Sequence, residues 1–260
     1  MNQNYRPRKR FGQHFLIDQT TIDKIIAAIQ PQSSEIIVEI GPGRAAISKP
    51  LAKLAGTFHA IELDRNLASM LKQQFAPQTN VTIHQGDALK FDFSGLGKNL
   101  RIVGNLPYNI SAPLLFRLIE YRSIIKDMCF MLQKEVVDRM AAPPGNRTYG
   151  RLSIMLGCYM KIDPLFDVPA TVFSPSPKVE SSIVRLHPLP DDIYAIADHE
   201  KLSNIVAEAF SQRRKKLRNA LKASATEENL IAAGIDPTSR PEQATIGNYV
   251  TLANQITKTE

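Results

Sequence analysis

Gly104-Asn105-Leu106-Pro107-Tyr108 places an amide side chain, a proline-held carbonyl and an aromatic ring in consecutive positions. This set suits chemistry at an exocyclic amino group on a flat heterocycle such as adenine. That nitrogen is a poor nucleophile, because its lone pair is delocalised into the ring. Two acceptors, one for each N–H, favour a pyramidal nitrogen whose lone pair points at an electrophilic methyl group. The Asn105 side-chain carbonyl can be one acceptor, and the Leu106 backbone carbonyl the other. Pro107 stiffens the turn and so fixes the direction of that carbonyl. Tyr108 offers a face on which a splayed base can stack, worth about 1–3 kcal/mol per base. No strong base is required before transfer, because the N–H becomes acidic once the nitrogen is alkylated. Positioning for an in-line displacement then dominates the rate. Prolines hold Phe173-Ser174-Pro175-Ser176-Pro177-Lys178 extended, so Phe173 can cover the other face of the base. Taken alone, Gly104 to Tyr108 also reads as an ordinary turn, and its neighbours decide between the two.

A methyl donor needs a second site on the same rim. Glu39-Ile40-Gly41-Pro42-Gly43-Arg44-Ala45-Ala46 joins an apolar run to a helical pattern. Glycines let that backbone turn sharply and approach a ligand. Glu62 follows 21 residues after Gly41, where a carboxylate accepts from ribose hydroxyls. Asp87 closes a further strand and can accept from an adenine amino group. Gly41-x-Gly43-x-x-Ala46 also fits a dinucleotide fingerprint, but Pro42 removes a backbone donor from the loop that would cradle a pyrophosphate. S-adenosylmethionine carries no phosphate, and Glu39 can hold its charged amino end, directly or through water. The acids close three successive strands, where open parallel sheets bind ligands.

The elements that position these residues alternate. Ile22, Ile25, Ile26 and Ile29 share one helical face, capped by Asp18 or Thr20. Strands are expected at 36–40, 57–62, 81–84, 100–104 and 128–132. Helices are expected at 45–54, kinked or started by Pro50, and at 66–75, 111–121 and 134–141. Ser111 is the expected cap of the third of these, with Pro113 in its first turn. A further helix after Tyr149 precedes strands at 158–166 and 182–186, read as an antiparallel hairpin-like pair at one edge. Such alternation predicts an α/β fold with a mostly parallel, seven-stranded sheet covered on both faces. After the linker at 188–192 the pattern is helical only. Leu202, Ile205, Val206, Ala209 and Phe210 form one face, and a last helix covers 243–256. We therefore expect two domains, 1–190 and a small all-α domain at 191–260.

Composition narrows the class. With 43% hydrophobic residues among 260, the chain can bury a full core. A net charge of +7 favours anionic partners. Arg6, Arg8, Lys9 and Arg10 form one cationic cluster, and Arg213 to Arg218 another on a predicted helix. Both suit salt-sensitive, shape-based contact with RNA phosphates. No apolar stretch reaches the length of a signal sequence or a membrane span. Cys129 and Cys158 lie in apolar runs and read as buried, reduced thiols. Two cysteines and five scattered histidines give no metal-site spacing. A cytoplasmic location without membrane or metal is expected.

In combination, Arg10 to Leu16, Val38 to Gly43, Asn105 to Tyr108 and Phe173 to Val179 resemble the KsgA/RsmA small-subunit rRNA adenine dimethyltransferase family. The likeness runs from Arg8 to about Leu186 and returns in Ser211 to Asn219. The resemblance implies a Rossmann-like class I methyltransferase fold with S-adenosyl-L-methionine as cofactor. It implies two methyl transfers to each of two adjacent adenosines near the 3′ end of 16S rRNA, and a role in small-subunit assembly. We expect a monomer acting on the pre-30S particle, with the helical domain binding rRNA. Carried over by motif, His14 and Leu16 line the cofactor pocket, and Gly41, Glu62, Asp87 and Asn105 contact the cofactor. Asn105, Leu106, Pro107, Tyr108 and Phe173 form the chemical site, with Tyr108 and Phe173 flanking the base. Arg44 stands where an apolar residue is common, and Ser176 interrupts the usual proline run.

Three competing functions are distinguishable. The Erm large-subunit rRNA methyltransferases share the cofactor and adenine motifs, so the subunit labelled separates them. A ribosome-assembly factor with secondary catalysis is a different class, and the intact chemical site argues against complete loss of activity. A nicotinamide dehydrogenase lacks a hydride-transfer constellation here.

Overall fold

Apolar runs ending in glycine or an acid build the centre of the molecule. The computed structural model describes residues 14–107 and 110–259. Tyr108 and the cationic cluster Arg6 to Arg10 lie outside the described residues. By packing, the chain forms two units: one holds the chain to Val137 plus Asp163–Pro188, the other Asp138–Ile162 plus the chain from Leu189.

The first unit opens with the two-residue strand β1 (Phe15–Leu16) and helix α1 (Gln19–Ile29). Asp18 caps α1 by accepting the Thr21 N–H at 2.7 Å, and Ile22, Ile25 and Ile29 are buried. Then follow β2 (Ile36–Ile40), α2 (Ser48–Leu54), β3 (Thr57–Glu62), α3 (Arg65–Phe75), β4 (Val81–Gln85), β5 (Leu100–Asn105), α4 (Ser111–Ile119), β6 (Ile125–Gln133) and α5 (Lys134–Met140). Beyond α6 (Arg151–Gly157) come β7 (Met160–Val168), β8 (Phe173–Ser174) and β9 (Ser181–Pro188). Seven strands form one sheet in the order β4-β3-β2-β5-β6-β9-β7. The pairs β2–β3, β3–β4, β2–β5 and β5–β6 are parallel, and β6–β9 is antiparallel. This is the expected Rossmann-like α/β sheet. The strand order reverses at β2, so a crevice opens beyond the carboxyl ends of β2 and β5. β9 lies between β6 and β7, so β9 and β7 are neighbours at one edge of the sheet, where the pair of strands was expected.

Local chemistry moves two helix starts. α2 begins at Ser48 rather than Ala45, because Gly41, Gly43 and Ala45 all have positive φ. A left-handed Ala45 cannot be helical, and Pro50 falls in the first turn, where its missing N–H costs nothing. Ser111 is the first helical residue of α4, not its cap, which is Ile110.

At the opposite end of the sheet from the crevice, Arg101 is buried in an ion cluster. Its Nε and Nη1 lie 2.8 Å from Asp127 and Glu35 respectively. Its Nη2 also donates to the Ile29 carbonyl at 2.7 Å, so the guanidinium closes the C-terminus of α1. These partners hold the guanidinium charged throughout the accessible pH range.

The second unit is built on α6, α7 (His199–Ser211), α8 (Leu217–Ala220), α9 (Glu227–Ala232) and α10 (Ile246–Thr259). Its core buries Tyr149, Ile154 and Met155 together with Leu202, Ile205, Val206 and Tyr249. Residues 138–162 therefore belong with the helices, whereas a single boundary at 190 was expected. The apolar face of α6 finds its burial against α7, a pairing that sequence separation conceals. Arg213 to Lys216 form a turn between α7 and α8 rather than part of a helix. Arg213 is held there by the Tyr149 carbonyl at 2.9 Å. Arg214, Lys215 and Lys216 are exposed. Cys129 and Cys158 are both buried free thiols, and burial pushes the Cys129 thiol up to about 11.

Candidate active site

The loop after β2 is shaped by close approach. The Gly41 N–H continues the ladder by donating to the Ile61 carbonyl at 3.0 Å. A Cβ on Gly43 would sit 3.1 Å from the Phe15 ring, so glycine is needed for packing as well as for its φ of 56°. On β5, a Cβ on Gly104 would meet the Ile40 carbonyl oxygen at 2.4 Å. Only glycine lets β5 lie this close to β2 at the crevice.

A cavity with about 180 Å³ open to water lies at these strand ends. His14, Leu16, Glu39, Gly41, Glu62, Asp87, Asn105, Leu106, Pro107 and Phe173 all line it. Every described residue that the sequence singled out for this site thus borders one space. Tyr108 lies outside the described residues.

Glu39 is 1% exposed, and its Oε2 has no hydrogen-bond partner. Burial pushes its carboxyl up to about 8, the nearby Ser48 hydroxyl opposes this, and the Glu62 charge adds to it. A buried, unpartnered carboxylate oxygen is costly unless something pairs with it. Glu62 ends β3 and is buried. Its Oε2 accepts from Gly43 N–H at 3.1 Å and its Oε1 from Asp64 N–H at 2.8 Å. Burial raises its pKa, against the pull of these backbone donors. Each oxygen keeps a further lone pair for a ligand hydroxyl. Asp87 lies two residues past β4 and accepts from Leu89 N–H at 3.0 Å through Oδ1.

On the opposite wall, the Asn105 Nδ2 donates to the His14 backbone carbonyl at 3.2 Å. That bond leaves Oδ1 as the side-chain atom able to accept from a substrate amine. Leu106 N–H donates to the Met131 carbonyl at 3.1 Å, and the Pro107 carbonyl accepts from Ile110 N–H at 3.1 Å. The turn is pinned at both ends. β1 pairs antiparallel with β8, with Leu16 opposite Phe173 and Phe15 opposite Ser174. The His14 Nδ1 also donates to the Pro175 carbonyl at 2.8 Å. The segment after residue 13 and the proline-rich stretch thus form one ribbon along the cavity. Phe173 is buried in that ribbon, so it packs as core and borders the cavity at once.

Sequence reasoning missed Phe15 and Ser48. Phe15 fills the space over Gly43 and carries the Arg44 guanidinium 4.6 Å above its ring centroid. Its place beside His14 and Leu16 was a signal, but only the β1–β8 pairing aims it at the loop. Ser48 is 0% exposed beside Glu39, and no local pattern marks it. The described residues contain no cluster of three or more metal-ligating side chains.

A sequence profile described as "Ribosomal RNA adenine dimethylase" matches residues 4–258. A curated relative from Dechloromonas aromatica, "Ribosomal RNA small subunit methyltransferase A", is 52% identical over 249 residues, 96% of this chain and 97% of its own. A protein of the same name from Pseudomonas aeruginosa is 48% identical over 255 residues, 97% and 95% of the two chains. Among solved structures, a dimethyladenosine transferase from Plasmodium falciparum superposes with a TM-score of 0.80 at 28% identity, covering 94% of this chain and 98% of that one. The 23S rRNA methyltransferase ErmE superposes at 0.74 with 21% identity, covering 94% and 99%, a likeness of fold.

Proposed function

This chain belongs to the ribosomal RNA adenine dimethylase family, and we propose that it dimethylates the exocyclic amino group of two adjacent adenosines near the 3′ end of 16S rRNA. Its cofactor in this reading is S-adenosyl-L-methionine, which when bound supplies a methyl group on a sulfonium. The observation that carries the reading is the orphaned Glu39 oxygen on one wall of the cavity that Asn105 borders from the other. A buried acid with one unpartnered oxygen fits a ligand ammonium. The spare lone pairs of Glu62 fit the ribose hydroxyls. Asp87 fits the cofactor's adenine amino group, while Leu16 and Gly41 provide apolar and backbone walls.

The chain's own residues then act by positioning. Asn105 Oδ1 and the Leu106 carbonyl accept the two N–H groups of the target amine, and Pro107 holds the second acceptor in place. His14 fixes the Asn105 amide through its backbone carbonyl. Tyr108 and Phe173 flank the base. Preorganised acceptors need no reorganisation as charge develops on the nitrogen. In the helical unit, exposed Arg214, Lys215 and Lys216 suit phosphate contacts on the pre-30S particle. We assign the protein a role in small-subunit biogenesis as a cytoplasmic monomer. No helix among the described residues is long and apolar enough to cross a membrane.

The test offers purified protein and labelled cofactor to unmethylated small and large subunits separately, with the modified base mapped by mass spectrometry. Dimethyladenosine in the small subunit is expected. Labelling of the large subunit alone overturns the reading in favour of an Erm-type target.

A further inference from the structure

The charges around the cavity do not balance for a zwitterionic ligand. Glu39, Glu62 and Asp87 border it. An amino-acid ligand brings an ammonium, which these acids suit, and a carboxylate, which they repel. Among the described residues that line the cavity, Arg44 is the one arginine or lysine. Its side chain is exposed and therefore stands at the rim. Phe15 is 7% exposed beneath it, with the guanidinium 4.6 Å above the ring centroid. An aromatic face restricts the positions a guanidinium can take. Arg44 follows Gly43, whose own N–H is held by Glu62 at 3.1 Å. The loop that carries the cation is thus tied to the acid assigned to the ribose.

We propose that Arg44, held over Phe15 at the rim of the cavity, receives the carboxylate of the cofactor's amino-acid end and makes binding selective for ligands that carry it. The proposal rests on S-adenosylmethionine being the cofactor. It divides the zwitterion between the end of β2 and the loop that follows it: Glu39 takes the ammonium and Arg44 the carboxylate. Because the guanidinium is partly in solvent, the pair is screened. We expect a loss of about tenfold in affinity on removing it, the lower range for a charge-assisted hydrogen bond.

Isothermal titration of the full chain with S-adenosylmethionine and with its decarboxylated analogue separates charge recognition from packing. Arg44→Leu should weaken S-adenosylmethionine about tenfold and leave the decarboxylated analogue unchanged. Arg44→Lys, which keeps a cation over Phe15, should recover part of the loss. Equal weakening of both ligands, or no weakening of either, overturns the assignment of Arg44. If the wild-type chain binds neither ligand, the cofactor reading itself fails, a result distinct from any behaviour of the variants.

Discussion

Glu39 should make the ligand-free protein less stable as the pH rises, and removing its charge should abolish that slope. The carboxyl ordinarily titrates at 4.5 and is pushed up to about 8 by burial in the folded chain. Between these values the folded state holds a proton that the unfolded state has released. Stability then falls as pH rises from about 4.5, and the fall ends near pH 8. Each unit in this window costs about 1.4 kcal/mol, so wild type should lose about 3 kcal/mol between about pH 5 and about pH 7 from this group alone. Glu39→Gln keeps the shape and cannot ionise. Urea denaturation of both proteins at the two pH values gives a double difference in which any constant packing cost of the amide cancels. The expected result is a Glu39→Gln variant that gains about 3 kcal/mol on wild type over that interval while losing affinity for S-adenosylmethionine. Parallel stability profiles for the two proteins would refute the claim that burial holds the Glu39 carboxyl protonated. Unchanged cofactor affinity would separate that burial from ligand binding.

Three further outcomes follow from the same geometry. Asn105→Ala should lower methyl transfer by about 100-fold or more while leaving cofactor binding within a few-fold, measured by single-turnover labelling and calorimetry; wild-type turnover would remove Asn105 from the mechanism. Neutralising Arg214, Lys215 and Lys216, but not the structurally engaged Arg213, should weaken RNA binding and flatten its dependence on salt by about 0.7–0.9 for each phosphate no longer neutralised, and an unchanged slope counts against this turn as an RNA-binding surface. Gly104→Ala should destabilise the protein by about 3 kcal/mol, because its Cβ would meet the Ile40 carbonyl at 2.4 Å; a thermal midpoint equal to wild type would show that β2 and β5 separate at little cost.

Much of the first unit was legible because its signals are local. The apolar runs at 36–40, 57–62 and 100–105 end in Glu39-Ile40-Gly41, Glu62 and Asn105, and each strand delivers its chemical residue to the same rim. Period and punctuation survive in any sequence window, so strand type and the acids at the strand ends could be read directly. Helix starts were less secure. A left-handed Ala45 and a helical Ser111 are set by the turns before them, and residue type only biases such positions.

The amino-acid sequence alone determined which residues are candidates for binding and methyl transfer, and that alternating elements would carry them. Tertiary structure decided their alignment. The Asn105 amide reaches a carbonyl 91 residues away at His14, and Leu16 pairs with Phe173. It also decided that residues 138–162 pack with the helices and that the Glu39 Oε2 is sealed without a hydrogen-bond partner. Such contacts close long loops, whose cost depends only weakly on length. No short pattern in the chain therefore encodes which distant partner is chosen; burial of complementary surfaces makes that choice.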